Sequence, residues 1–219
     1  MSSGSLRSSS GPPPYWRTAC AELSDRDMVL ARLIATHRDE VLSGSGNGLR
    51  TLLNAIVGQQ ISVAAAARIW GRLASAYPTL DPKALARAPT ERLREFGLSF
   101  RKAEYVRGIA SAVAQGRINP ESWHERSEEE VRAELTAQRG VGPWTAEMVL
   151  IFHARRPDIL PLGDVGLVNA AARLYDWEHL ETLRERRERL ARYAEGWRPW
   201  RTVATWFIWR DLDAEPVVY

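Results

Sequence analysis

Between Leu135 and Asp164 the chain reads LTAQRGVGPWTAEMVLIFHARRPDILPLGD, and this run leaves few folds open. Just before it, Ser127-Glu128-Glu129-Glu130 has the Ser-x-x-Glu form of a capping box, in which the serine hydroxyl and the glutamate carboxylate satisfy orphan backbone N–H groups, so a helix starts there. Val131 and Leu135 give that helix an apolar stripe. Gly140-Val141-Gly142 breaks it: both glycines are free to take positive φ, and without a Cβ they let another backbone come close. Pro143 suits the first turn of a second helix, where its missing N–H costs nothing, and Trp144 to Phe152 continue that helix with an apolar run. Helix, glycine hairpin and helix together gather backbone N–H groups at a helix N-terminus, an arrangement that binds phosphate. An ordinary glycine-capped corner between two helices uses the same residues, and a bare G-x-G does not choose between the two.

The run ends on Asp164, directly ahead of Val165, Gly166, Leu167 and Val168. An aspartate before an apolar helix is commonly an N-cap. A lone carboxylate at a helix start can also do chemistry, and the two roles are compatible.

The remaining chain is helical in pattern. Apolar spacing predicts helices over 25–41, 49–57, 62–77, 81–87, 90–96, 101–115, 127–138, 143–153, 165–175, 178–193 and 199–212. No segment alternates in the manner of a strand, so the expected class is all-α. Residues 1–14 are mostly Ser, Gly and Pro with little to bury, and read as a disordered tail ahead of a folded unit at 15–219.

Charge and cysteine content exclude more than they assign. The formal net charge of +3 mildly favours an anionic partner without forming a polybasic tail. Arginine carries nearly all of the positive charge; the lysines are Lys83 and Lys102. A single cysteine, Cys20, rules out an intramolecular disulfide and any four-cysteine zinc or iron–sulfur site. No stretch reaches membrane-spanning length and the first residues lack the apolar core of a signal peptide, so the expected setting is cytoplasmic, with a monomer in association with its partner.

The hairpin with its aspartate, LTAQRGVGPWTAEMVLIF and then ILPLGDVGLVNAA, resembles the helix-hairpin-helix DNA glycosylase superfamily, and within it the 3-methyladenine DNA glycosylase II family. Three further segments agree in order: LLNAIVGQQISVAAAARIW at Leu52–Trp70, GLSFRKAEYVRGIA at Gly97–Ala110 and RYAEGWRPWRTVATWFIWR at Arg192–Arg210. The likeness covers about Leu49 to Leu212.

This resemblance implies two helical lobes around a cleft, with the hairpin at its edge. One lobe takes residues 49–160 and the other residues 20–48 with 161–212. The implied partner is duplex DNA with alkylated bases, such as N3-methyladenine and N7-methylguanine, which are flipped out and excised. Asp164 would be the catalytic carboxylate, and Trp144, Met148 and Trp209 would line the base pocket, with Met148 standing where the family often has an aromatic. DNA contacts would come from Gln59, Gln60, Arg101, Lys102, Gly140, Val141, Gly142 and Thr145, with Gln60 as the plug that fills the vacated stack. A cap of the following helix is the lesser reading of Gln60, solvated surface is a nearly equal one for Arg101-Lys102, and helix packing is the favoured one for Trp197, Trp200 and Trp206. No cofactor is required by the resemblance. It does imply a structural Na+ or K+ held by the carbonyls of Thr136, Gln138 and Val141. Trp144 stands where lyase relatives carry a lysine nucleophile, which favours a monofunctional enzyme over a bifunctional glycosylase/lyase, while a non-catalytic DNA-binding module stays open.

Overall fold

The computed structural model describes residues 11–212. Among them are twelve α-helices and no strand: α1 Trp16–Arg26, α2 Met28–Thr36, α3 Gly48–Gly58, α4 Val63–Ala76, α5 Pro82–Arg87, α6 Thr90–Glu95, α7 Phe100–Ala114, α8 Glu128–Thr136, α9 Pro143–Phe152, α10 Val165–Leu174, α11 Leu183–Tyr193 and α12 Arg201–Leu212, with 3-10 turns at Pro120–His124 and Ala194–Trp197.

Helices pack in two groups. α3 lies against α4, α7, α9 and the first 3-10 turn, with α5 and α6 on α7 and α8 on α9. α1, α2, α10, α11 and the second 3-10 turn gather around α12 and one another. The second group therefore joins the first and last helices of the described residues, and a continuous apolar core runs through both groups.

The helix expected over 25–41 is shorter at both ends: α2 runs from Met28 to Thr36, residues 37–41 leave it, and residues 25–26 belong to α1. Asp27 turns extended, accepts from the backbone N–H of Val29 and Leu30, and so caps α2 while ending α1. Its second oxygen accepts from Tyr175 Oη and Trp197 Nε1, each at 2.9 Å. A carboxylate only 6% exposed is thus satisfied four times over, as a buried charge requires. α1 itself lay hidden because its sequence is largely polar, with only Trp16, Ala19 and Leu23 buried. The helix expected over 178–193 begins later, where Thr182 and Glu185 form a capping box.

Of the tail expected over 1–14, residues 1–10 lie outside the described residues, as do 213–219 at the other end. Residues 11–14 already belong to the fold: Pro13 is buried and the Gly11 carbonyl accepts from Arg155 at 2.8 Å. No helix among the described residues is long and apolar enough to cross a membrane.

The linker between α9 and α10 carries Asp164, and α12 fixes it. Thr202 Oγ1 donates to the Arg156 carbonyl at 2.6 Å and accepts from the Ile159 N–H at 2.9 Å, while the Thr202 N–H donates to the Pro157 carbonyl. Arg201 grips Asp158 from the same helix turn, at 2.7 Å. A turn then closes from the Asp164 N–H to the Pro161 carbonyl, so Asp164 starts α10 from a defined position.

Candidate active site

Asp164 is half-buried, and each of its oxygens has a partner. Oδ1 accepts from the Leu167 N–H at 2.8 Å, which makes the residue the N-cap of α10. Oδ2 accepts from Trp144 Nε1 at 2.8 Å. The cap and the Trp144 contact coexist on one carboxylate, and they hold it in one orientation at the positive end of a helix. Its charge is felt nearby: burial pushes the Glu147 carboxyl up, Arg132 opposes this, and Asp164 adds to the rise.

The exposed side of the first turns of α9 is narrow. Trp144 and Glu147 are partly open, whereas Thr145, Ala146, Met148 and Val149 are buried. Met148, expected to line a base pocket, is 1% exposed and packs in the core, because α9 is apolar nearly all round and the core takes this face. Trp209 is partly open and stacks on Phe152, with ring centroids 6.0 Å apart at 11°. It lies one turn before Leu212, whose Cδ2 comes within 3.3 Å of where a Cβ on Gly166 would stand. The end of α12 therefore borders the start of α10, and Leu212 is a neighbour that the motifs did not indicate. Trp197 and Trp206 are buried, and Trp200 stacks on Tyr15 while donating to Glu22, so these three serve packing.

The hairpin forms as expected, with a capping box at Ser127 and Glu130 opening α8. Its two glycines serve different ends. Gly140 has φ +89°, and a Cβ there would lie 2.3 Å from ring carbons of Tyr105 on α7. Gly142 has φ −95°, an ordinary extended value, so the expectation of positive φ holds for Gly140 alone. A Cβ on Gly142 would meet nothing within 4 Å. Gly140 thus seats the hairpin on an aromatic face, while Gly142 leaves the surface open before α9. Tyr105 is a second residue missed by motif reading.

Three residues expected to touch DNA have other partners. Gln59 Nε2 donates to the Gly140 carbonyl and to Thr145 Oγ1, each at 2.9 Å. Thr145 is 2% exposed, which leaves its hydroxyl to Gln59. Lys102 Nζ donates to the carbonyls of Val57 and Gln59, each at 2.7 Å, and burial pulls its pKa down. An ammonium at the carboxyl end of α3 is drawn to the last carbonyls of that helix, whose own partners have run out. Arg101, its neighbour, is exposed.

Gln60 is exposed with φ +56°. It does not cap α4; Ser62 does, accepting from the Ala65 N–H. Thr136 ends α8, Gln138 follows it and Val141 sits within the hairpin, and the Gln138 carbonyl already accepts from the Val141 N–H.

A sequence model of the HhH-GPD superfamily base excision DNA repair protein matches residues 53–196. The chain is similar to DNA-3-methyladenine glycosylase 1 of Schizosaccharomyces pombe, 30% identical over 187 residues, covering 83% of this chain and 79% of that protein. It is 29% identical over 137 residues to the putative DNA-3-methyladenine glycosylase YfjP of Bacillus subtilis, covering 63% of this chain and 46% of that protein, so it spans under half of this relative. The solved S. pombe 3-methyladenine DNA glycosylase Mag1 in complex with abasic DNA superimposes with a TM-score of 0.79 at 28% identity, covering 88% of this chain and 95% of that one. With the family model matching residues 53–196, well over half of the chain, and Mag1 superimposing on 88% of it, the chain belongs to the HhH-GPD superfamily of base excision DNA repair proteins.

Proposed function

We propose that the protein is a monofunctional DNA glycosylase that excises alkylated bases, N3-methyladenine and N7-methylguanine among them, from duplex DNA. The observation that carries this reading is the Asp164 carboxylate, held by the α10 N-terminus and by an indole N–H beside the open end of a glycine hairpin. The hairpin and the N-terminus of α9 take the DNA backbone, a contact that positions a duplex without reading its sequence. The damaged base leaves the stack and enters beside Trp144 and Trp209. An indole face attracts a cationic base by stacking and cation–π contact, on the order of 1–3 kcal/mol.

A purine alkylated at N3 or N7 is already cationic. The bond from C1′ to the base nitrogen breaks with its electron pair leaving on the base, which departs neutral and needs no proton. The sugar left behind is an oxocarbenium ion; the Asp164 charge stabilises it and orients a water whose oxygen bonds to C1′ while its proton passes to the carboxylate and on to solvent. The negative end of α8 suits a bound Na+ or K+, which the carbonyls of Thr136, Gln138 and Val141 would hold to neutralise a phosphate near the hairpin.

The test is release of free base from alkylated duplex DNA without strand nicking. A DNA-binding module would bind and release nothing, and a lyase would nick. Borohydride trapping on abasic DNA is expected to yield no covalent adduct. A Schiff base requires an uncharged amine at C1′. Lys102 spends its amine on two carbonyls, and Lys83 lies in the first turn of α5. An adduct mapped to either lysine would overturn the monofunctional assignment.

Trp144→Phe separates stacking from tethering. The ring remains, but Asp164 loses the indole donor. A fall of about tenfold in single-turnover excision is expected, the size of one lost hydrogen bond to a charged group. Unchanged excision would show that the Leu167 N–H alone orients the carboxylate.

A further inference from the structure

The loop between α3 and α4, residues 59–62, carries the proposed plug yet holds itself poorly. Its own backbone bonds, from the Gln59 N–H to Ile56 and from the Ile61 N–H to Gly58, are long at 3.4 Å each. Gln60 sits in the left-handed region without being glycine, a conformation that persists only where surroundings enforce it. Two side chains supply that enforcement. Lys102 reaches 43 to 45 residues back along the sequence to bind the carbonyls on either side of the loop's entry, Val57 and Gln59. Gln59 then turns its carboxamide the other way, onto Gly140 and Thr145 of the hairpin. Tyr105, one turn after Lys102 on α7, is the ring against which Gly140 rests. One helix thus seats both the loop and the hairpin, and one glutamine ties the two together.

The geometry points to Lys102 and Gln59 as positioning residues that lock the Gln60 loop to the hairpin, so that the plug is held at a fixed offset from the DNA backbone that the hairpin grips. This rests on the glycosylase reading and goes beyond it in giving two residues of the expected DNA surface an internal task. Lys102 does not serve as a phosphate ligand; its charge is turned inward, and burial lowers its pKa in keeping with that. The lock places the plug before a base leaves the stack, and a displaced plug would slow extrusion without weakening the grip on phosphate.

Hydrogen exchange of the DNA-free protein tests the lock whatever the chain does to DNA. Lys102→Met keeps the length and removes the donors; Gln59→Leu removes the tie to the hairpin. Exchange over residues 57–61 is expected to accelerate about tenfold in Lys102→Met, and over 138–142 by a similar factor in Gln59→Leu. Wild-type exchange in both variants would overturn the proposal. Should Lys102→Met fail to fold, Gln59→Leu carries the same test.

The second measurement is a double-mutant cycle with Gln60→Ala on single-turnover excision. Lys102→Met is expected to lose about tenfold or more when Gln60 is present and little further when it is absent, because its effect passes through the plug. Non-specific duplex affinity and its salt dependence are expected to stay at wild-type values. A salt slope reduced by about one would make Lys102 a phosphate contact instead. Additive losses in the cycle would likewise overturn the proposal. An inactive wild type would count against the glycosylase reading and leave the exchange result to decide the lock.

Discussion

Asp164→Asn is expected to lose base release by about two orders of magnitude or more, the scale on which removal of one preorganised charge-stabilising group is felt. Duplex affinity is expected to change by no more than a few-fold. The charge that offsets the oxocarbenium ion is gone, while the shape stays. Asparagine Oδ1 still accepts from the Leu167 N–H, so the α10 cap persists. The Trp144 contact does not survive, because the amide would present N–H groups to the indole N–H. A stability loss of roughly 1 kcal/mol is expected from that released bond, and a thermal melt of the variant separates it from the chemical effect. Near-normal excision by a folded Asp164→Asn protein would remove this residue from the mechanism.

Gly140→Ala is expected to destabilise the fold by about 2–4 kcal/mol, since both a strained backbone and a steric clash are imposed at once. With φ at +89°, an alanine is strained in any surroundings, and the added carbon would lie 2.3 Å from the Tyr105 ring. The Arg139 guanidinium lies over the same ring, 5.9 Å from its centroid, so a shifted ring also disturbs that contact. Displacement of the hairpin also moves the carbonyl that Gln59 binds, so duplex affinity is expected to fall along with the melting temperature. Gly142→Ala is the internal control. Its φ is ordinary and its surroundings are open, so its melting temperature is expected near wild type. Equal melting of the Gly140 and Gly142 variants would show that Tyr105 yields easily and that the seat is soft.

Local grammar was legible where it is self-contained. The Ser127–Glu130 box, Pro143 at a helix start and Asp164 before an apolar run are signals written within a few residues, and the structure bears out each local reading. What stayed hidden depends on residues far apart in the chain. Lys102 beside Arg101 at a helix start has the pattern of a phosphate contact, and nothing in its neighbourhood reveals that α3 ends beside it. Gln59 and Gln60 are adjacent and chemically identical, yet one faces inward to the hairpin and the other outward; only the backbone turn at Gln60 separates them. Met148 lies on a helix apolar on most sides, where periodicity does not say which face the core takes. Asp27 interrupts an apolar pattern, and its partners Tyr175 and Trp197 lie 148 and 170 residues away.

The joining of α1 and α12, the first and last described helices, in one group has a consequence for what counts as an autonomous unit. The stretch by which the family is recognised, residues 53–196, contains the hairpin and Asp164 but neither α1, α2 nor α12. Asp27 and Thr202 also fall outside it, and these two residues brace the second helical group and pin the linker that presents Asp164. A fragment cut at those borders would keep its signature intact and lose the scaffold that aims it: in this protein, recognisability and foldability have different boundaries.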